Sequence, residues 1–337
     1  MKILAINNYS LEACLSASRR KEGPAHHNWG VDFLLKDNEV DFLNFDNSRG
    51  GLIFYLNILM FCIRHFGRFR KYDVIISFFN PCIGFLAYLK RFGFLKCRLF
   101  TLVHHRCRYM LLSSGYDKIF FLSKQILNSV KKDYFHLSDK MVWLDWGADL
   151  DFYNAHFEKI KSKDIKAVSV AISTGKTYRD IALFSKACKK INIPYILITD
   201  KVESSNSPHI ISSGKKGVNP VSYPAMLDYM VESSISVIPV LSNFPSTSLC
   251  GLTSFLDALA LGQPIIMSDN TNISVDIEKE GIGLVYRAGD ERDLSDKILY
   301  MVNHPQFCKS CGEKARQYAI KHDYKAYCRQ LYSFLVK

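Results

Sequence analysis

Residues 247–269 read Thr-Ser-Leu-Cys-Gly-Leu-Thr-Ser-Phe-Leu-Asp-Ala-Leu-Ala-Leu-Gly-Gln-Pro-Ile-Ile-Met-Ser-Asp. A polar, glycine-containing loop opens a helix, which carries Leu252, Phe255, Leu256, Leu259 and Ala260 at three- and four-residue spacing. Gly262 ends the helix, and Pro264 leads into a short apolar strand, the expected stop signals. The helix start, Gly251-Leu252-Thr253-Ser254, presents free N–H groups, the positive end of a helix dipole and two hydroxyls, a natural seat for an anion. Asp257 sits one turn further on, within reach of a sugar or ribose diol.

The same alternation of strand and helix extends over the chain. Before residue 150, strands are predicted at 2–6, 40–43, 73–78, 98–102, 118–122 and 141–144. Helices are predicted at 27–36, 51–69, 81–93, 107–113 and 124–134. After it, strands are predicted at 166–172, 194–199, 236–240, 264–267 and 283–285. Helices are predicted at 178–191, 223–232, 252–261, 273–279, 290–303 and 306–321, with a last one at 324–336. This spacing makes βαβ units and parallel sheets, with ligands beyond the carboxyl ends of the strands. The charged stretch Glu158-Lys-Ile-Lys-Ser-Lys-Asp164 suits a linker between the halves.

The 337 residues suffice for two domains, and 48% hydrophobic, 23% charged and 13% aromatic residues describe a globular chain. The apolar run Ile3–Ile6 reads as a first buried strand and not as a signal peptide. The run from Leu52 to Ile63 contains Asn57 and is too short to span a bilayer. It continues into Arg64, Arg68, Arg70 and Lys71, so it suits either a helix covering the sheet or one lying in a membrane interface. Ten cysteines without a disulfide-like framework suit a reducing, cytoplasmic setting. The net charge is +12, and residues 1–150 carry 21 Lys and Arg against 13 Asp and Glu. That basic half suits an anionic membrane face, an acidic acceptor or simply a solvated surface. No nucleic-acid recognition motif accompanies it, so no nucleic-acid partner is expected.

There is no Walker loop and no Gly-x-Gly-x-x-Gly, which counts against P-loop and dinucleotide enzymes. No three residues have metal-ligand spacing, and Cys308-x-x-Cys311 stands alone. Gly175-Lys176-Thr177-Tyr178-Arg179 follows the first strand of the second half. A glycine turn with Lys176 and Arg179 before a helix suits a diphosphate.

Asp257-Ala-Leu-Ala-Leu-Gly262-Gln-Pro264-Ile-Ile266 resembles the second half of the signature of the family 4 retaining glycosyltransferases, which have the GT-B fold. Leu249 stands where that signature has its first acidic residue. The resemblance implies an α/β protein with two doubly wound, Rossmann-like domains facing across a cleft. The first, 1–150, lies on the acceptor side; the second, 151–322, binds the nucleotide-sugar; and 323–337 cross back to the first. Pro24-Ala-His26-His27-Asn-Trp29-Gly30 resembles the cleft loop of some members and implies an acceptor-side place for His26, His27 and Gly30. His104 and His105, after the fourth strand, would face the donor sugar as catalytic candidates, at most one of them directly if the chain is extended. A neutral histidine there would accept the acceptor hydroxyl's proton or hydrogen-bond a sugar hydroxyl. Lys176 and Arg179 would stabilise the leaving diphosphate. Gly175, Gly251, Leu252, Thr253, Ser254 and Asp257 would hold donor phosphates and ribose, and the stretch from Val218 to Tyr223 would hold the base. Trp143–Phe152 resembles the interdomain crossing, and Asp149-Leu-Asp151 is set aside as a metal motif because it falls at that boundary.

The implied function is transfer of a sugar, with retention, from a nucleotide-diphospho-sugar to a glycan or lipid-linked acceptor. The co-substrate is the nucleotide-sugar; no other cofactor and no metal is expected. Surface polysaccharide or glycolipid synthesis at the inner face of the membrane is the implied setting. A catalytically silent nucleotide-sugar-binding protein, suggested by Leu249, and a basic nucleic-acid-associated α/β protein remain the alternatives.

Overall fold

The computed structural model describes residues 1–45, 51–104, 112–162, 170–199, 210–212 and 221–336. Two parallel sheets dominate it. The first contains β1 (Lys2–Asn7), β2 (Glu39–Asn44), β3 (Val74–Ser77), β4 (Arg98–Val103), β5 (Lys118–Phe121) and β6 (Met141–Trp143), in the order β2-β1-β3-β4-β5-β6. The second contains β7 (Ala171–Thr174), β8 (Tyr195–Thr199), β9 (Ile210–Ser212), β10 (Ile235–Ile238), β11 (Ile265–Ser268) and β12 (Gly283–Tyr286), in the order β12-β11-β10-β7-β8-β9. Strands β3, β7, β8, β10 and β11 are buried at every position, which requires helices on both faces of a parallel sheet. The chain is thus an α/β protein of two doubly wound domains.

In both sheets the strand order reverses beside the first strand, between β1 and β3 and between β7 and β10. Loops diverge at such a point and leave a crevice at the carboxyl ends of the strands. Two helices tie the halves together. One is α6 (Leu150–Lys161), which packs on α9 (Leu252–Leu261). The other is α12 (Tyr324–Val336), which returns to the first domain. There Tyr324 accepts a hydrogen bond from the Gly30 N–H at 2.8 Å, Gln330 donates to the Trp143 carbonyl at 3.2 Å, and Phe334 packs on Phe120.

Several segments depart from the sequence reading. The first loop contains a nine-residue helix, α1 (Leu11–Arg19), whose cap Ser10 accepts from the Ala13 N–H. The helix expected at 27–36 is two short pieces, a 3-10 turn at Ala25–Asn28 and α2 (Val31–Leu34). Trp29 and Gly30 separate them, with φ of 58° and 88°. The first four residues of the charged linker, 158–161, are instead the end of α6, and its last two lie outside the described residues. Residues 273–279 form turns ending at Gly281, where φ is 66°. Edge strand β9 was not expected. The helix expected at 107–113 falls almost wholly outside the described residues, as does the amino end of the strand expected from 166.

Candidate functional site

Between the carboxyl ends of the two sheets lies a cavity of about 710 Å³. Its walls come from both domains: Tyr9, His27, Trp29, His104 and Trp146 on one side, and residues 174–179, Tyr223 and residues 249–254 with Asp257 on the other.

The helix expected to hold an anion opens onto this space. Gly251 takes φ 87°, where a Cβ would come within 2.6 Å of Ile238, so the chain turns into α9 against the floor of the sheet. No side chain caps α9, and its first internal bond is from the Phe255 N–H to the Gly251 carbonyl. Among the described residues, the N–H groups of Leu252, Thr253 and Ser254 therefore have no hydrogen-bond partner. With the dipole behind them they make a positive seat at the cavity edge.

Arg179 stands beside it. Its guanidinium is buried and fixed by protein acceptors alone. Nε donates to the Thr174 carbonyl (3.1 Å), Nη1 to the Thr177 carbonyl (3.1 Å) and the Cys250 Sγ (3.0 Å), and Nη2 to the Ser254 Oγ (3.0 Å). Among the described residues no carboxylate is paired with it, so a buried positive charge faces the cavity uncompensated. Gly175, at φ 114°, lies so close that a Cβ there would come within 2.7 Å of this guanidinium. Lys176 projects from the same turn, exposed and without a carboxylate partner among the described residues. Ser254 accepts from Thr174 Oγ1 and donates to the Thr174 carbonyl, locking α9 to the end of β7.

Asp257 lies deeper. Its Oδ1 accepts from the hydroxyls of Tyr153 and Tyr223, each at 2.5 Å, and the two hydroxyls are 3.0 Å apart. Burial pushes its carboxyl up to about 6, against the lowering effect of those bonds. Burial beside this carboxylate pushes both phenols well above their usual range, so both keep their protons and donate. Asp257 thus reaches the cavity as part of a Tyr-Asp-Tyr array and not as the free acceptor the sequence suggested. Tyr153 lies between the expected interdomain crossing, which ends at Phe152, and the expected linker, which starts at Glu158, so no local pattern marked it.

The first domain contributes His27 and His104. His27 is pushed down to about 4 by burial and is neutral at pH 7; its ring meets Tyr223 edge-on at 5.4 Å. Among the described residues its ring nitrogens make no hydrogen bond. His104 Nε2 lies 3.1 Å from the Phe78 carbonyl, and the ring stands edge-on to Trp29 at 4.9 Å. His105 and Val218 lie outside the described residues.

His26 and Gly30 correct the reading of the first loop, because neither reaches the cavity. His26 is fully buried; its Nδ1 accepts from the Asp149 N–H at 3.2 Å, and it is packed among Trp146, Tyr153 and Tyr324. Gly30 is held against α12, where a Cβ would come within 3.1 Å of Leu331. They alternate with His27 and Trp29, which do face the cavity: a tight turn sends neighbours in opposite directions. Asp149 accepts from the Ala25 N–H at 2.8 Å, a structural role at the domain boundary.

The sequence also gave no sign of Tyr9, Cys14, Trp146 and Met226, which line the cavity. These are apolar or amphipathic residues whose position depends on how the domains meet.

No family model matches the chain, and no curated protein matches it by sequence. Its fold has counterparts among solved structures. Sucrose-phosphate synthase from Thermosynechococcus elongatus superposes with a TM-score of 0.68 at 12% identity, over 99% of this chain and 98% of that one. HepE of Anabaena, solved in complex with UDP, gives 0.63 at 12% identity over 99% of both chains. WaaG, a glycosyltransferase involved in lipopolysaccharide biosynthesis, gives 0.61 at 10% identity over the whole of both chains. The chain has the two-domain GT-B fold from end to end.

Proposed function

We propose that the protein is a glycosyltransferase that moves a sugar, with retention, from a nucleotide-diphospho-sugar to a glycan or lipid-linked acceptor. The observation that carries this reading is the positive seat. A helix start with three unpartnered N–H groups, the fixed guanidinium of Arg179 and Lys176 converge at the edge of an interdomain cavity. That arrangement neutralises a departing diphosphate without reorganising at the moment of reaction. These groups supply the charge neutralisation that a metal supplies elsewhere, so the mechanism assigns none to a cation. The solved relatives of this fold named above include sugar transferases, and HepE binds UDP, which supports a nucleotide-sugar donor.

In this reading the diphosphate lies against residues 251–254, and the base reaches towards the stretch ending at Tyr223. The Asp257–Tyr223 pair holds a diol of the donor. The acceptor enters from the first domain, where neutral His27 can accept a hydrogen bond from its attacking hydroxyl. His104 borders the same space and contacts the donor sugar. The setting we propose is surface polysaccharide or glycolipid synthesis at the cytoplasmic face of a membrane.

The test is a thermal-shift panel of UDP, GDP, ADP and their common sugars on the wild type and on Arg179→Ala. A ligand at about 100 times its Kd adds roughly 2.7 kcal/mol of stability. Stabilisation by one nucleotide, weakened by Arg179→Ala, is expected; no stabilisation by any of them overturns the reading. Leu249, buried at the cavity wall where the resembled family has an acid, favours one second reading, a binding protein without turnover. Binding of a nucleotide-sugar without release of nucleoside diphosphate would select it.

A further inference from the structure

Helix α3 (Gly51–Phe69) is the most apolar long helix among the described residues. Over Leu52–Phe69 its mean hydropathy is 1.3, enough by length and composition to cross a membrane. One side is fixed to the first domain: Ile58, Cys62 and Phe69 are fully buried in the core. The other side is open. Leu52 is 76% exposed, and Met60 and Ile63 are each 60% exposed; Ile53, Leu56 and Leu59 are exposed beside them. Positions 52, 56, 59 and 63 follow the helical repeat, so these side chains form one stripe. Large apolar residues exposed singly are ordinary on a soluble protein; six along three turns of one helix are not.

The charge beside the stripe says what covers it. From Gly51 to Tyr72 the chain contains no Asp or Glu. The outer face continues from Ile63 into exposed Arg64, Arg70 and Lys71. Among the described residues none of these three is paired with a carboxylate. The neighbouring helix α4 (Gly84–Arg91), which packs on α3, ends in a turn that exposes Phe92 and Phe94. An apolar stripe with aromatic residues near it and cations along its end matches the layering of a bilayer surface: acyl chains beneath, phosphates at the edge.

We propose that the outer face of α3 docks the protein on an anionic lipid bilayer. The helix lies in the interface plane, with Leu52, Leu56, Met60 and Ile63 below the headgroups and Arg64, Arg70 and Lys71 among the lipid phosphates. It does not cross, because its inner side stays packed on the sheet. The inference rests on the membrane setting proposed above and names the surface that makes the contact.

The experiment is flotation of the full chain with two kinds of vesicle, phosphatidylcholine alone and phosphatidylcholine with a third of the lipid as phosphatidylglycerol. Two variants accompany the wild type: Leu56→Ser/Met60→Ser/Ile63→Ser and Arg64→Glu/Arg70→Glu/Lys71→Glu. All six positions are exposed, so both variants should melt as the wild type does. The wild type is expected to float with the anionic vesicles, less so at high salt, and each variant to lose roughly tenfold or more in binding. Wild-type binding by the serine variant, or no binding by the wild type, overturns the proposal. So does a concentration-dependent dimer that the serine variant abolishes while vesicles bind neither protein; that result assigns the face to a second copy. The nucleotide stabilisation described above is measured on the same samples. Its loss with flotation intact would sink the transferase reading and leave the docking surface standing.

Discussion

Residues in and beside the cavity are held in protonation states set by burial, and this gives the protein a pH signature. His27 is pushed down to about 4 and His26 well below its usual value, whereas in the unfolded chain both titrate near 6.5. Between those pH values the unfolded chain binds protons that the native chain refuses, so stability falls as pH is lowered from about 6.5 towards 4. Asp257 works in the opposite sense. Raised to about 6 from an unfolded value of about 3.9, it keeps a proton in the native state that the unfolded chain releases. Its own contribution is greatest below about pH 4 and is lost as pH rises to 6. Burial also raises the carboxyls of Asp32 and Asp149 and lowers His65 and His156. The four histidines outnumber the three carboxyls, so a net loss of stability on acidification is expected in denaturant titrations across this range. In Asp257→Asn the loss should be steeper, because one opposing group is gone; an unchanged slope would place the Asp257 carboxyl in the ordinary range. Tyr223→Phe removes one of the two hydroxyls on Oδ1 without removing the ring. We expect it to lower the melting temperature, since Asp257 Oδ1 loses a hydrogen bond to a charged group that contributes about 1.5–3 kcal/mol, and to weaken nucleotide binding by roughly tenfold as the carboxylate loses its positioning. Isothermal titration with the nucleotide that stabilises the wild type decides this.

At the scale of elements, the start of α9 is the most constrained feature of the site. Gly251→Ala meets a positive φ and a contact of 2.6 Å with Ile238 at once. It should cost about 1–3 kcal/mol in thermal unfolding, and the turn it disturbs should lose nucleotide binding as well. A variant that melts lower yet binds nucleotide normally would show that the helix start is not the anion seat. This element was legible in the sequence because its signals are local: Gly251 before the helix, apolar spacing through it, then Gly262 and Pro264. The strands of both sheets, edge strand β9 excepted, were legible for the same reason. The misreadings have a common cause. Helix α1 hides behind polar residues, with only Leu11 and Leu15 turned inward. The end of helix α6 reads as a charged linker because none of its residues after Tyr153 is buried. The direction of His26, His27, Trp29 and Gly30 depends on two residues in left-handed conformation within a turn. Short-range patterns do not reveal which neighbour faces the solvent there. The Tyr-Asp-Tyr array joins residues more than 100 positions apart, and only the packing of α6 on α9 brings them together.

On the scale of the whole molecule, the two sheets share a core. One continuous apolar cluster includes Ile3 and Phe100 of the first domain, Tyr153 of the bridging helix, and Leu256 and Ile265 of the second. The stacked pair Trp29 and Trp146, 4.5 Å apart, sits where the domains adjoin. Calorimetry should therefore show one cooperative transition and not two. Two resolved peaks, only one of them moved by nucleotide, would show that the halves unfold separately. The last helix is a necessary part of that unit. Tyr324, Tyr327, Cys328, Leu331 and Leu335 are all buried, and removing them together forfeits on the order of 10 kcal/mol of apolar burial, comparable to the whole stability of a domain. A chain ending at residue 322 is expected to be recovered only in aggregates.

The same helix sets an order on biosynthesis. A ribosome releases amino-terminal domains first, and such domains commonly fold while the remainder is still being made. Here the wall of the first domain formed by Gly30, Trp143 and Phe120 is closed by residues translated only after the whole of the second domain. The nascent first half must wait with that apolar wall uncovered until the second half has been made. A premature stop codon anywhere upstream of residue 324, however late, leaves the opening unsealed. The cell then holds a client for chaperones and proteases where it would have held a shortened protein.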